Sequence, residues 1–268
     1  MFKNIFLTIL VMNLLPLSGC RKVCDYFEQH QDSPATNCRI EKISFDILND
    51  FGVIERCGSF FSYNTYNNPT LVGYSIPYDL PPMDKVFRYD ANNRLSAYIK
   101  DFRYEDTSPV FWHKYTYESP LKVIDSVFVY ASGDYKTNDR PDEYSRVEVN
   151  ELTLDNRGRI INEKYTLDGN IFGERSFQYD MNGNLIKPGV TYNNKPNIRQ
   201  TSKIWQFIDR DFSVNQPRDE VEAFTANNLP YTFRNPISTQ SEILYIAQGS
   251  IVTYNCESVT THVGVNSN

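Results

Sequence analysis

Phe87-Arg88-Tyr89-Asp90-Ala91-Asn92-Asn93-Arg94-Leu95 lies without a gap over Leu152-Thr153-Leu154-Asp155-Asn156-Arg157-Gly158-Arg159-Ile160 and over Phe177-Gln178-Tyr179-Asp180-Met181-Asn182-Gly183-Asn184-Leu185. Every copy has apolar residues at its first, third and ninth places, Asp at the fourth, and Gly or Asn at the seventh. This is hairpin chemistry. A carboxylate at Asp90, Asp155 or Asp180 accepts hydrogen bonds from the backbone amides that follow it, and Asn93, Gly158 or Gly183 tolerates the positive φ needed where the second strand begins. Two tighter turns fit the same scheme: Asp168-Gly169 between Tyr165 and Ile171, and Gln248-Gly249 between Tyr245 and Ile251.

Strand patterns lie around these turns. Ile43, Phe45 and Ile47 alternate with polar residues, as do Phe111, His113, Tyr115 and Tyr117, then Val123, Val127 and Val129 around Asp125, then Val147 and Val149. Period two in aromatic and β-branched residues marks half-buried strands. Helical spacing is found over Ile198 to Ile208, where Ile198, Thr201, Trp205 and Ile208 share one face of a short helix. The expectation is an all-β body over residues 39–256. It would be an antiparallel hairpin meander of about ten to fourteen strands, forming either a twisted, curling sheet or a sandwich, with at most one short helix. A closed membrane barrel is disfavoured, because its strands would be about ten residues long with an outward apolar band.

The copies resemble the YD repeat, the tyrosine-aspartate hairpin unit of RHS-type bacterial proteins and of many cell-envelope lipoproteins. The match is best at Tyr89-Asp90 and at Tyr179 to Leu185, and it departs where Leu154 replaces Tyr and Asn93 replaces Gly. Tyr192-Asn193-Asn194-Lys195-Pro196-Asn197 is similar to a segment that follows the last hairpins in YD-bearing lipoproteins. The resemblance implies an architecture and is nearly silent on activity.

Residues 1–19 read as a secretion signal, with one charge at Lys3 and an apolar run from Ile5 to Leu17. That run is too short to span a bilayer, which takes roughly twenty residues. Leu17-Ser18-Gly19-Cys20 resembles a bacterial lipobox, implying cleavage before Cys20 and attachment of diacylglyceryl and acyl chains such as palmitate to that residue. Two or more chains hold a protein stably on a membrane, each buried methylene contributing about 0.8 kcal/mol. Arg21 stands where an Asp commonly signals inner-membrane retention, so the resemblance implies the outer membrane. Residues 20–38 read as a polar tether and 257–268 as a polar tail.

The 268 residues carry 27 Lys and Arg against 33 Asp and Glu, a net charge of −6, with no basic block that would gather nucleic-acid phosphates. Beyond Cys20, the cysteines Cys24, Cys38, Cys57 and Cys256 are even in number in a chain sent to an oxidising compartment. One or two disulfides are expected, with three pairings open: Cys24 with Cys38 would staple the tether to the body, and Cys57 with Cys256 would join the ends of the body. The alternative is that some of these are buried free thiols.

No C-x-x-C spacing, phosphate-binding glycine loop, G-x-S-x-G or H-E-x-x-H is present, and His30, His113 and His262 are scattered, so neither a metal site nor a cofactor is expected. Asp180 to Asn184 lacks the Gly and distal Glu of an EF-hand loop and reads as a turn. His113, alternating with Trp112, reads as a strand residue. The functional expectation is a non-enzymatic envelope lipoprotein that presents a β-surface to an envelope protein or glycan. Aromatic faces, with Trp112, Trp205 and the tyrosines as candidates, could stack on sugars in a glycan-binding variant of that reading. The stronger reading of most of these rings is structural, as aromatic cross-strand pairs that stabilise the sheet by about 0.2 to 1 kcal/mol each. An envelope hydrolase is the third reading, requiring two convergent carboxylates or a histidine beside a hydroxyl in a cleft.

Overall fold

The computed structural model describes residues 38–48, 52–75, 84–101, 110–134, 138–234, 244, 246 and 248–256. The signal segment, Cys20, Cys24, the tether up to Asn37 and the tail lie outside the described residues.

β1 (Cys38–Leu48), β2 (Ile54–Tyr63), β3 (Pro69–Ser75), β4 (Lys85–Tyr89) and β5 (Leu95–Asp101) follow one another as antiparallel neighbours. The sheet continues through β6 (Val110–Ser119), β7 (Lys122–Val129), β8 (Arg146–Leu154), β9 (Ile160–Leu167) and β10 (Asn170–Ser176). On the other side of β1 lie β15 (Ile251–Cys256), β14 (Pro230–Phe233) and β13 (Val221–Phe224), making a 13-stranded open sheet with β10 and β13 at its edges. A separate ribbon pairs β11 (Tyr192–Pro196) with β12 (Asn215–Pro217). The protein is therefore an antiparallel meander in one twisted, open sheet, and β15, the strand expected after the Gln248-Gly249 turn, returns to pair with β1.

The expected continuous helix is divided. A 3-10 turn, Ile198–Thr201, and α1, Lys203–Asp209, meet at Ser202, whose extended backbone (φ −158°) ends one while its side chain caps the other. The apolar face read from the spacing is kept: Ile198, Trp205 and Ile208 are all buried. Trp205 meets the rings of Phe61 and Phe87 edge-on at 5.9 and 5.6 Å, and Phe207 meets Tyr115 at 5.3 Å. One cluster of buried side chains runs from Ile160 in β9 to Val221 in β13 and includes α1. Flat, the strands between would span about 50 Å at ~4.8 Å each, whereas a seven-residue helix is only about 10 Å long. The sheet must curl about the helix for both to share a core. A bulge between Ile40 and Lys42 helps, since it returns Ile40 and Ile43 to the same face. A smaller cluster, Ile99, Val110, Trp112, Phe128 and Ala131, packs apart from the helix.

Five loops share one hydrogen-bond pattern, two more than the repeat reveals. In each, the amide of the first residue donates to the carbonyl four residues on, and the amide of the fourth donates back to the first: Asn64–Asn68, Asp90–Arg94, Asp155–Arg159, Asp180–Asn184 and Thr225–Leu229. The first side chain accepts amide bonds throughout, for example Asp90 from Asn92 and Arg94 at 2.9 Å. The fourth residue takes positive φ every time: Asn67 60°, Asn93 59°, Gly158 74°, Gly183 80° and Asn228 63°. Asp168 (50°) and Gly169 (77°) form the two-residue turn between β9 and β10, and Gly249 (75°) precedes β15.

Tyrosines complete the unit. The carbonyl just after each five-residue loop accepts a hydroxyl from a following segment: Pro69 from Tyr89, Leu95 from Tyr117 (3.1 Å), Ile160 from Tyr179 (3.3 Å), Leu185 from Tyr192 (2.6 Å) and Pro230 from Tyr254 (2.6 Å). Burial raises all these phenols, Tyr117 and Tyr192 to about 12, so they stay protonated donors well into alkali.

The disulfide joins Cys38 to Cys256, across the directly paired strands β1 and β15. Among the readings left open by the sequence, this selects one bridge and one buried free thiol: Cys256 bonds to Cys38, and Cys57 is free. Antiparallel register explains it, because Cys57 faces Phe45 in mid-strand while Cys38 and Cys256 are directly opposite. Cys38 is the first described residue of β1.

Candidate functional site

The chemistry-bearing side chains divide into two sealed ionic clusters and one open edge. In the first cluster, cross-strand pairing puts Asp125 opposite Asn150 in β8, and the same alternation sets Glu163 of β9 on that face. Arg210 ends α1 in the left-handed region (φ 55°, ψ 29°), and its guanidinium spans both carboxylates: Nε to Glu163 at 2.9 Å and Nη2 to Asp125 at 3.2 Å. A planar five-donor fork suits such bridging better than a lysine. His113 Nδ1 lies 3.0 Å from Asp125, while Tyr165 and Arg175 donate to Glu163 at 2.6 and 2.7 Å. Burial pushes the Asp125 carboxyl up, but His113, Arg210 and Asn150 outweigh it and leave it lowered; Glu163 is lowered in the same way, with Arg210 as the main cation. Asp125 is 0% exposed and Glu163 2%, so this is a buried, neutralised tie between helix and sheet.

The second cluster centres on Asp211. Lys187 donates to it at 2.9 Å and the Ser213 hydroxyl at 2.5 Å, while Arg199 bonds Asp209 at 2.7 Å. Burial opposes ionisation of Asp211, yet Arg199 and Lys187 prevail and hold it at about 2. Glu220 goes the other way, raised by burial and by Asp211, and accepts from Gln216 at 2.8 Å.

Cross-strand register carries all five loops, Asn64–Asn68, Asp90–Arg94, Asp155–Arg159, Asp180–Asn184 and Thr225–Leu229, to one end of the sheet, together with Cys38 and Cys256. Two concavities open there. One, of about 250 Å3, lies beside Cys38 with Arg39, Tyr66, Asn67 and Asn68 on its wall. The other, of about 430 Å3, lies between the Asn93 and Gly158 turns and α1, with Leu154, Phe207 and Phe212 among its apolar lining. Gln200 and Lys203 line both, so the two form one trough. Arg39, Arg94, Arg157, Arg159 and Lys203 line it, and among the described residues no Asp or Glu does.

The turn chemistry fixes two of these arginines. Arg94 pairs with Asp90 at 2.7 Å and lies 4.1 Å over the ring of Tyr117; Arg159 pairs with Asp155 at 2.6 Å and lies 4.2 Å over Tyr179. Both occupy the eighth place of the repeat. In the third copy Asn184 stands there, buried, and binds Asn215 of β12 instead. A third concavity, of about 630 Å3, opens by that turn with Asp180, Asn182, Tyr192 and Arg218 on its wall.

Of the residues singled out for sugar stacking, Trp112 is 1% exposed and Trp205 0%, so neither offers a face to a ligand. Their size explains the correction: each is the largest group of its core cluster, Trp205 on the buried face of α1 and Trp112 on the far face of the sheet. Tyr66, 70% exposed at the trough, is an aromatic that does face outward. Among the described residues no group of three metal-ligating side chains is found, and no helix is long and apolar enough to cross a membrane. No family model matches the chain, and no curated protein matches it.

Proposed function

We propose that the protein is an outer-membrane lipoprotein, anchored through acylated Cys20, whose β-body presents a non-catalytic binding surface along its turn edge. The observation that carries this reading is the separation of chemistry from access. Asp125, Glu163, Asp211 and Glu220 sit in bonded clusters, and none of them lines any of the three concavities. A hydrolase would need such carboxylates to converge on an open cleft. The chain also enters the sheet at Cys38, on the same edge as the trough, so an N-terminal anchor and the open surface share one end of the molecule. Fractionation of producing cells tests the anchor: the wild-type chain is expected with the outer membrane and Cys20→Ala in the soluble fraction, and a wild-type chain that washes free defeats the reading.

A glycan-binding version gains from one specific feature. The trough combines guanidinium groups, side-chain amides and the outward ring of Tyr66, the groups that bind charged substituents, hydroxyls and sugar faces respectively.

A further inference from the structure

We infer that the trough is a site for an acidic glycan, a saccharide chain bearing carboxylate or phosphate groups. This rests on the binding-surface reading above and gives it a ligand class.

Charge is the first argument. The chain as a whole carries −6, yet this trough is lined by five cations and by no acid among the described residues. Against an acidic background, such a patch selects anionic ligands over cationic ones. The second argument is preorganisation. Arg94 and Arg159 are each held between a carboxylate and a tyrosine ring, so their outward N–H edges are fixed without further ordering cost. Arg157 and Lys203 add two exposed cationic side chains to the same wall.

Shape is the third. The trough runs along the edge from Cys38 and Tyr66, past Gln200 and Lys203, to Arg159, suiting an extended chain better than a compact solute. Side-chain amides at Asn68, Asn93 and Asn255 supply paired donors and acceptors along it, and Tyr66 gives an exposed ring.

Isothermal titration of the full mature chain carrying Cys20→Ala against polygalacturonate, phosphorylated dextran, neutral dextran and phosphatidylglycerol vesicles tests this. Binding to at least one of the two acidic polysaccharides, absent for neutral dextran and weakened by raising salt to about 0.5 M, is expected. Arg157→Gln/Lys203→Gln should weaken it at least tenfold with the circular dichroism spectrum unchanged. Should that variant unfold, Tyr66→Ala, altering an outward ring, should still weaken binding several-fold. No affinity for either acidic polysaccharide, equal affinity for neutral dextran, or binding confined to vesicles overturns the proposal. Because the titration uses soluble protein, failure of the glycan site and failure of the membrane anchor give separate results.

Discussion

Arg210 and Glu163 are 47 residues apart in sequence, yet Arg210 Nε and Glu163 Oε1 are 2.9 Å apart, and the same guanidinium holds Asp125. Removing it leaves two carboxylates buried without their shared cation. Arg210→Met should therefore cost about 3–5 kcal/mol, the range for breaking one side of a buried ion pair. Urea denaturation of the variant beside wild type measures this, and a loss under about 1 kcal/mol would mean the cluster is weakly coupled to folding.

Acid should loosen the same tie. Asp211 is held at about 2, against an ordinary value near 4, and Asp125 and Glu163 are also lowered. Groups shifted downward contribute stability that is complete above the unfolded value and disappears as pH falls through the folded one. Asp211 alone accounts for about 2 kcal/mol. The urea midpoint should fall steadily between about pH 4.5 and pH 2. Glu220 is raised, so its contribution is present below its unfolded value and is lost as pH rises through the folded one. Glu220→Gln should accordingly steepen the acid loss relative to wild type, and an unchanged profile would contradict the assignment.

Each tyrosine hydroxyl that meets a post-turn carbonyl should be measurable singly. Tyr117→Phe and Tyr192→Phe remove donors to Leu95 and Leu185 at 3.1 and 2.6 Å. A cost of about 1 kcal/mol each is expected, somewhat more where the carbonyl stays dry. Distant, unconnected turns should give nearly additive losses in the double variant. Ultraviolet titration should find these phenols ionising near pH 12 in the folded protein.

Thiol chemistry separates the three described cysteines. Alkylation of the native protein should spare Cys57, which is buried, and label it after denaturation. Proteolysis without reductant should release a peptide pair joined at Cys38 and Cys256. Because the bridge closes a loop of 218 residues, reduction should cost up to about 5 kcal/mol in the chain-entropy account. Melting with and without reductant measures it.

Local chemistry was legible in the sequence, and long-range pairing was not. Asp90, Asp155 and Asp180 announce their turns because a carboxylate followed by Gly or Asn has few other uses at that spacing. The Asn64 and Thr225 loops have the same hydrogen bonds but were silent, since an amide and a hydroxyl replace the carboxylate and both have Asn where φ turns positive. Period two located the strands, yet it could not say that β15 returns beside β1, and so could not choose among the cysteine pairings. The two tryptophans looked like ligand platforms because composition cannot tell a ring in a core from one on a surface. Arg94 and Arg159 were visible at one place of the repeat, but their role emerges only when Tyr117 and Tyr179 arrive from other strands.

The bridge between Cys38 and Cys256 also decides how the body would carry a mechanical load. Tension on the chain ahead of Cys38 crosses the sulfurs to the final strand at the moment it enters the sheet. The hairpins between them then stand outside the line of any force applied between the segments flanking the bridge, so such a pull shifts the body as a unit and leaves its strands zipped.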